Sequence, residues 1–138
     1  MMNRKTAILT ILWVIVFSLS WASEAIRFEC PILVEALREA KGFTGDGMRA
    51  IFPEDVSGIE ELDGNGRGMT SLEGIEYLSN LQDLYIDQNQ ISDLTPLQNL
   101  THLQTLTFSN NQVGDLTPLG RLTNLQVLIF KNNEVKDL

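Results

Sequence analysis

The sequence predicts an α/β solenoid. Its parts are a short parallel sheet on the concave side, 3₁₀ or irregular turns on the convex side, and a helical cap at the N-terminal end. Three observations carry the prediction. Residues 59–138 repeat every 22 residues, apolar residues recur at fixed positions of each repeat, and an amphipathic segment precedes the first repeat. A repeat this short cannot bury its own apolar face, so neighbouring repeats must stack around a shared core.

Four repeats, here called coils one to four, occupy residues 59–80, 81–102, 103–124 and, incompletely, 125–138. In most coils, positions 1, 4, 6, 11, 14, 17 and 20 are apolar, which is the frame of a leucine-rich repeat. Positions 3 to 7 alternate between inward and outward residues, as in a half-buried strand. We therefore expect four parallel strands about 4.8 Å apart, with no C-terminal cap after coil four.

Two polar positions of the repeat have a predicted structural role. Position 9 is Asn89, Asn111 and Asn133, and an asparagine there can satisfy backbone groups at the bend. Position 13 is aspartate in coils two to four, which is typical of a turn residue that bonds its own backbone. The threonine-proline pair at positions 15 and 16 predicts a threonine N-cap and a proline in the first position of a 3₁₀ turn.

Coil one departs from this pattern at three positions. Gly64 replaces the inward apolar residue at position 6, Arg67 replaces the asparagine at position 9, and Gly74 replaces the proline at position 16. Terminal repeats are atypical because they abut a cap. We therefore expect the first strand to be the least regular of the four.

Residues 23–58 form the predicted N-terminal cap. Residues 31–41 place apolar side chains on one helical face and charged side chains on the other, and Gly42 is a suitable stop. Residues 53–57 predict a short helical turn before the first strand. Cys30 is the single cysteine, so no intramolecular disulfide is possible. We favour its burial in the cap over an intermolecular disulfide.

Residues 1–22 have the pattern of a secretory signal peptide. Arg4 and Lys5 precede a mostly apolar, uncharged run, and small residues follow it, so cleavage could follow Ala22 or Ala25. We favour Ala22. The alternative is an uncleaved membrane anchor, although the run is shorter than the about 20 residues that a spanning helix needs. The predicted location is outside the cell, or in the cell envelope or periplasm.

The charge balance disfavours nucleic acid and anionic membrane surfaces as partners. The formal net charge is −8, and removal of residues 1–22 would leave 8 bases against 18 acids, a net charge of −10. Catalytic and metal chemistry lack material as well, because His102 is the only histidine and Cys30 the only thiol. Residues 63–68 have the look of a calcium loop, but Arg67 falls where an oxygen ligand is needed. We expect no enzyme activity, no metal and no cofactor.

The repeat LxxLxLxxNxIxDLxPLxxLxx, matched at nearly every defining position by residues 81–124, resembles the internalin-type leucine-rich repeats of bacterial surface and secreted proteins. The phrase GMTSLEGIEYL at residues 68–78 is similar to the first repeat of many such proteins. The run FECP at residues 28–31, followed by the helix, resembles their N-terminal helical cap. The resemblance covers roughly residues 26–138. It implies a secreted or surface protein that binds other macromolecules, with a protein as partner, through its concave sheet.

The predicted binding face consists of the outward residues at positions 3, 5 and 7 of the four coils. It runs from acidic near the cap to apolar at the far end, so a basic partner could meet the acids with Tyr85 as an aromatic anchor. The face consists of Glu61, Asp63, Asn65, Asp83, Tyr85, Asp87, Thr105, Thr107, Ser109, Val127, Ile129 and Lys131.

Size and edge exposure leave other readings open. Four strands give about 14 Å of sheet and a face on the order of 300 Å², whereas a stable interface takes about 800 Å² from each partner. The last strand is predicted to have one free edge beside exposed Val127, Ile129 and Phe130, and such edges invite pairing with another chain. A homodimer through that edge, or a truncated array without a dedicated ligand, is therefore the structural alternative. An enzyme that uses Asp63, Asp83 and Asp87 is a more distant one.

Overall fold

The computed structural model describes residues 25–42 and 50–136, and the predicted signal segment 1–22 lies outside them. Among the described residues, no helix has the length and apolar character needed to cross a bilayer. The helices are α1 (Pro31–Ala40) and α2 (Pro53–Val56). The strands are β1 (Glu61–Asp63), β2 (Asp83–Tyr85), β3 (Thr105–Thr107) and β4 (Val127–Ile129). The 3₁₀ segments are Ile75–Tyr77, Thr95–Leu97 and Thr117–Arg121.

The four strands form one parallel sheet in the order β1-β2-β3-β4, as the repeat predicts. Equivalent positions pair directly, for example Leu62 with Leu84 and Leu84 with Leu106. The strands cover only positions 3 to 5, because the backbone turns at position 8. There Gly66, Gln88, Asn110 and Asn132 have φ between 55° and 63°. The convex side carries the predicted 3₁₀ turns, so the solenoid architecture is confirmed.

The first strand is as regular as the others, which contradicts our expectation. It pairs with β2 over three residues in the same register that relates β2 to β3. The reason is Met69, which is fully buried and whose methyl group fills the space that a side chain at Gly64 would occupy. The missing apolar residue of coil one is thus supplied from position 11.

The asparagines at position 9 have the predicted structural role. Asn111 donates from Nδ2 to the carbonyl oxygens of Ile86 in the preceding coil (2.8 Å) and Phe108 in its own coil (3.0 Å). Its Oδ1 accepts the N–H of Ile91 at 3.0 Å. Asn89 and Asn133 repeat these contacts one coil earlier and one coil later. Each coil therefore satisfies the bend of the coil before it.

The convex turns begin one residue earlier than predicted. Thr95 and Thr117 are helical residues, and the preceding Leu94 and Leu116 are the N-caps. The side chain that bonds the start of the turn is instead the aspartate, since the N–H of Thr95 donates to Asp93 Oδ1 at 2.8 Å and that of Thr117 to Asp115 Oδ1 at 2.8 Å. The predicted role of position 13 is confirmed for Asp93 and Asp115, whereas Asp137 lies outside the described residues. The predicted role of the threonine as N-cap is wrong.

The cap explains the other two departures of coil one. Arg67 Nη2 lies 2.6 Å from Glu39 Oε2 of α1, so the residue that replaces asparagine binds the cap helix. Gly74 lies against the ring of Phe28, where a proline would not fit. Cys30 is 2% exposed and is the N-cap of α1, in agreement with its predicted burial.

Candidate protein-binding face

Positions 3 and 5 of the four strands share the concave surface of the sheet. Position 3 contributes Glu61, Asp83, Thr105 and Val127, and the strand register places them side by side. Position 5 contributes Asp63, Tyr85, Thr107 and Ile129 in the same way. The sheet thus brings eight of the twelve predicted residues into two adjacent rows, which we call the strand rows.

Thr107 was predicted to be an outward residue of the binding face, but the structure buries it. It is 7% exposed, and its hydroxyl donates to Asp87 Oδ2 at 2.7 Å. In the same row, Tyr85 is half-buried and Ile129 is exposed. The Thr107 hydroxyl therefore has its acceptor within the sheet, as buried polar groups generally do.

Position 7 forms a ladder that links the coils. The N–H of Asp87 donates to Asn65 Oδ1 at 2.6 Å, the N–H of Ser109 donates to Asp87 Oδ1, and the N–H of Lys131 donates to Ser109 Oγ at 3.2 Å. Each side-chain oxygen therefore replaces a strand hydrogen bond beyond the end of the strand. Asn65, Asp87 and Ser109 were predicted to bind a ligand, and the structure commits their oxygen atoms to neighbouring coils.

Three carboxylates of the strand rows surround an aromatic ring and form a negatively charged patch, which we call the acidic patch: Glu61, Asp63, Asp83 and Tyr85. Desolvation, followed by the charges of Asp83, Glu61 and Asp63, raises the pKa of Tyr85, so its phenol stays protonated. Asp63 also accepts the N–H of Asn65 at 3.0 Å. Among the described residues, Glu61 and Asp83 have no basic partner within ion-pair distance.

The far end of the face is apolar and open. Val127 is 42% exposed, Leu128 38% and Ile129 43%. Phe130, predicted to be exposed, is half-buried because its ring stacks on Phe108 with 5.6 Å between the ring centroids. A shallow cavity of about 400 Å³ is lined by Leu128, Ile129, Phe130 and Lys131.

An amide-lined groove beside the sheet was missed by the sequence reasoning. Gln104 donates to Gln82 and Gln126 donates to Gln104 through their side-chain amides, at 3.3 and 3.4 Å. The groove has a volume of about 380 Å³ and also contains His102. The recurrence of glutamine at position 2 of coils two to four is the sequence feature that indicates this groove. His102 Nδ1 lies 2.9 Å from Ser79 O, as Asn124 Nδ2 lies 2.7 Å from Thr101 O, so this histidine occupies a structural asparagine position.

Metal binding gains no support from the geometry. Within residues 25–42 and 50–136, no group of three or more histidine, cysteine, aspartate or glutamate side chains could hold an ion. The three aspartates considered for catalysis differ in their surroundings, because Asp87 is held by Thr107 and Ser109 while Asp83 is free of such contacts.

Comparison with known proteins agrees with the fold and the repeat. A family model described as leucine-rich repeats in two copies matches residues 101–138. Internalin H of Listeria monocytogenes is 35% identical over 67 residues, which are 49% of this chain and 12% of that protein. The chain thus spans about an eighth of the length of that relative.

Solved internalin structures superpose on the chain. An internalin (inlF) from Listeria monocytogenes has a TM-score of 0.76 at 32% identity, covering 80% of this chain and 32% of that one. Internalin C2 from the same species has a TM-score of 0.53 at 30% identity, covering 85% of this chain and 74% of that one. Together with the 22-residue register and the asparagine contacts, these similarities make the chain an internalin-type leucine-rich repeat protein.

Proposed function

We propose that the chain is an extracytoplasmic protein-binding module that presents the strand rows to a protein partner. The observation that carries the proposal is that only some side chains of the concave side are used to hold the coils together. Position 7 holds the coils together, whereas Glu61, Asp83 and Tyr85 project from the sheet without a partner side chain among the described residues. A rigid surface that keeps free charged and aromatic groups is suited to recognition.

Rigidity supports binding because little order has to be created when the partner arrives. The strands are held by backbone pairing, by the position 7 ladder and by the buried asparagines. Binding to such a preorganised face avoids part of the entropy loss that a mobile loop would suffer. The side chains of the acidic patch need only select rotamers.

The chemistry of the acidic patch favours a basic segment of the partner. Lysine or arginine side chains would meet the unpaired carboxylates of Glu61 and Asp83, and the face of the Tyr85 ring could stack on an arginine. Such charges raise the association rate and the specificity more than the final affinity. We therefore expect binding that weakens as salt is added.

The described face supplies only part of a stable interface. Its strands are three residues long, shorter than the length behind the estimate of about 300 Å². Because a stable complex needs about 800 Å² from each partner, we infer that a flank of the solenoid or a second copy of the chain contributes the rest. A structural array without a ligand is the competing possibility, and partner capture separates the two.

The test compares two tyrosines on opposite sides of the solenoid. Tyr85 lies on the concave strand row, and Tyr77 is 42% exposed in a 3₁₀ segment on the convex side. Chains carrying Tyr85→Ala, Asp83→Asn or Tyr77→Ala would be used to capture partners from the extracellular medium of the source organism. Loss of capture with the first two changes and not with the third supports the proposal. Loss only with Tyr77→Ala would contradict it.

Export through residues 1–22 belongs to the same proposal. It rests on the basic, apolar and small-residue order of that segment. Fractionation of expressing cells, with N-terminal sequencing of the product, tests it. A mature protein that starts at Ser23 in the medium or envelope is the expected result, and an intact Met1 in the cytoplasm would refute export.

A further inference from the structure

We propose that the amide-lined groove beside the sheet is a second binding site, and that its ligand is a short, linear, uncharged oligosaccharide. The groove is lined by residues of all four coils and has a volume of about 380 Å³, within the range of about 300–1,000 Å³ that is usual for small-ligand sites. The proposal goes beyond protein binding, because this groove lies beside the strand rows and takes a ligand of another class.

One row of side chains in the groove, which we call the donor row, has free amide N–H groups: Gln82, Gln104 and Gln126. Gln104 Nε2 donates to Gln82 Oε1 at 3.3 Å and Gln126 Nε2 donates to Gln104 Oε1 at 3.4 Å, each with one of its two N–H groups. Gln82 Nε2 has no acceptor among the described residues. The donor row therefore offers a free N–H from each of three successive coils.

A second row, which we call the acceptor row, consists of the position 22 side chains: Asn80, His102 and Asn124. Asn80 Nδ2 donates to Ser57 O at 2.7 Å, and Asn124 Nδ2 donates to Thr101 O at 2.7 Å. Because a carbonyl oxygen only accepts, these bonds fix each amide nitrogen on the backbone. The two amide oxygens have no donor among the described residues and are left as acceptors.

His102 continues the acceptor row in coil two. Its Nδ1 lies 2.9 Å from Ser79 O, so Nδ1 carries the proton of this bond, and Nε2 of the neutral ring is an acceptor. Within the described part of the chain, Nε2 has no donor. The histidine thus has the same arrangement as the two asparagines, with a donor on the backbone and an unused acceptor.

A row of donors beside a row of acceptors suits hydroxyl groups. A hydroxyl donates one bond and accepts others at the same oxygen, so one sugar hydroxyl between the rows can donate to the acceptor row and accept from the donor row. Among the described residues that line the groove there is no lysine or arginine, and Glu60 lies at the cap end. Phosphates, nucleic acids and uronic acids therefore meet no counter-charge there, and Glu60 repels them.

The spacing of the rows favours a sugar chain over an extended peptide. Equivalent residues of neighbouring coils follow the strand pairing, which repeats about every 4.8 Å. Peptide groups on one side of an extended chain recur every two residues, or about 6.6–6.8 Å, and so fall out of step with the coils. A pyranose unit of a 1,4-linked chain is close to one coil spacing in length, so each unit meets the donors and acceptors of one coil.

Nuclear magnetic resonance of the ¹⁵N-labelled chain tests the proposal through the side-chain amide signals of the donor row. The probes are cellotriose, chitotriose and maltotriose, and at least one of them should shift these signals. Because each hydrogen bond replaces one to water and adds little, its monosaccharide should need a concentration about tenfold or more higher. No shift with any of the three trisaccharides would overturn the proposed site.

Two further probes test the class of ligand. Trigalacturonate is a 1,4-linked trisaccharide that carries carboxylates, and penta-alanine is a peptide without charged side chains. Neither should shift the signals of the donor row at concentrations where the neutral trisaccharide does. An equal or larger response to either probe would overturn the assignment to an uncharged oligosaccharide.

A pair of glutamine variants tests the donor row. Gln104→Leu removes its central amide and should weaken binding of the responding trisaccharide about tenfold or more. Gln112→Leu is the matched control, because Gln112 is exposed and lies outside the groove, and it should bind as the parent chain does. Backbone amide signals check that both variants are folded. Unchanged binding by folded Gln104→Leu would refute the role of the donor row.

A pair of histidine variants tests the acceptor row. His102→Asn introduces the residue of the neighbouring coils, keeps both the donor to Ser79 O and an acceptor, and should bind as the parent chain does. His102→Leu has neither and should bind more weakly. Equal binding by the two variants would refute the role of this row. Both leave the acidic patch unchanged, so capture of a protein partner is a separate outcome.

Discussion

Phe28 packs its ring into the space that a side chain at Gly74 would occupy. Gly74 has φ of 99°, a left-handed conformation that favours glycine. Phe28 belongs to the segment before α1, so the contact fastens the N-terminal cap to the convex side of coil one. Coils two and three, which have no such ring to receive, carry Pro96 and Pro118 at this position.

Gly74→Ala should therefore destabilise the protein by about 2–4 kcal/mol, because backbone strain and overpacking against Phe28 act together. Chemical denaturation measures this loss. Gly120→Ala is the matched control, since nothing lies within 4 Å of a Cβ atom there. The loss should shrink in a Phe28→Ala background, where the overlap is gone. An equal loss in both backgrounds would mean that the ring is not responsible.

Asn111→Ala should reduce the free energy of unfolding by about 1–3 kcal/mol, because it leaves the Ile91 N–H without its acceptor in the core. It also removes one of the two asparagine donors to Ile86 O and to Phe108 O. Asn124→Ala removes one exposed bond to Thr101 O and should reduce it by no more than about 1 kcal/mol. Urea titration compares the two. Similar losses would argue that burial of the asparagine is unimportant.

Gln88→Gly should raise the free energy of unfolding by about 0.5–1 kcal/mol. Gln88 has φ of 57°, where a side chain is strained, and glycine relieves the strain at some cost in chain entropy. Gln112→Gly, at an exposed position without positive φ, should instead lower stability. Thermal melting of both variants gives the signs, and a loss in Gln88→Gly would contradict the argument.

The Glu39–Arg67 contact should make stability depend on pH. A side-chain hydrogen bond and the charge of Arg67 lower the pKa of Glu39 below its ordinary value of 4.5. The contact therefore stabilises the fold above that value, and the stabilisation is lost as pH falls through the pKa of the folded state. Parent chain and Glu39→Gln should differ in urea midpoint at pH 7.

At low pH the two midpoints should converge. The difference should be small, because both groups are near the surface. In an Arg67→Gln background the Glu39→Gln change should have no effect at either pH. A gap that widens on acidification would have the wrong sign for this contact.

Asp87 and Asp83 should differ in their contribution to the free energy of unfolding. Asp87→Ala removes the acceptor of Thr107 and Ser109 and should lower the free energy of unfolding by about 1–3 kcal/mol. Asp83→Ala breaks no such bond and should change it by no more than about 0.5 kcal/mol. Denaturation of both variants decides the matter, and equal losses would place Asp83 in the structural network too.

The repeat alone predicts the parallel sheet, the buried leucines and the buried asparagines, because each follows from the spacing of residues within one coil. Contacts between coils are less accessible. Nothing in the spacing reveals that Met69 fills the space beside Gly64, or that Asp87 bonds the next coil and buries Thr107. Outward alternation therefore overestimates the number of free side chains on the concave surface, since it cannot distinguish a free carboxylate from one that is already hydrogen-bonded.

The asparagine contacts also give the solenoid a direction of assembly. Asn89 bonds backbone groups of coil one, Asn111 those of coil two and Asn133 those of coil three. The backbone groups at each of these bends therefore gain their partner only when the following coil has formed. The cap that shields the other end of the stack comes first in the chain. A polypeptide that emerges N-terminus first can thus pack each new coil against the cap or a coil that has already folded. Folding from the C-terminal coil would begin without the cap.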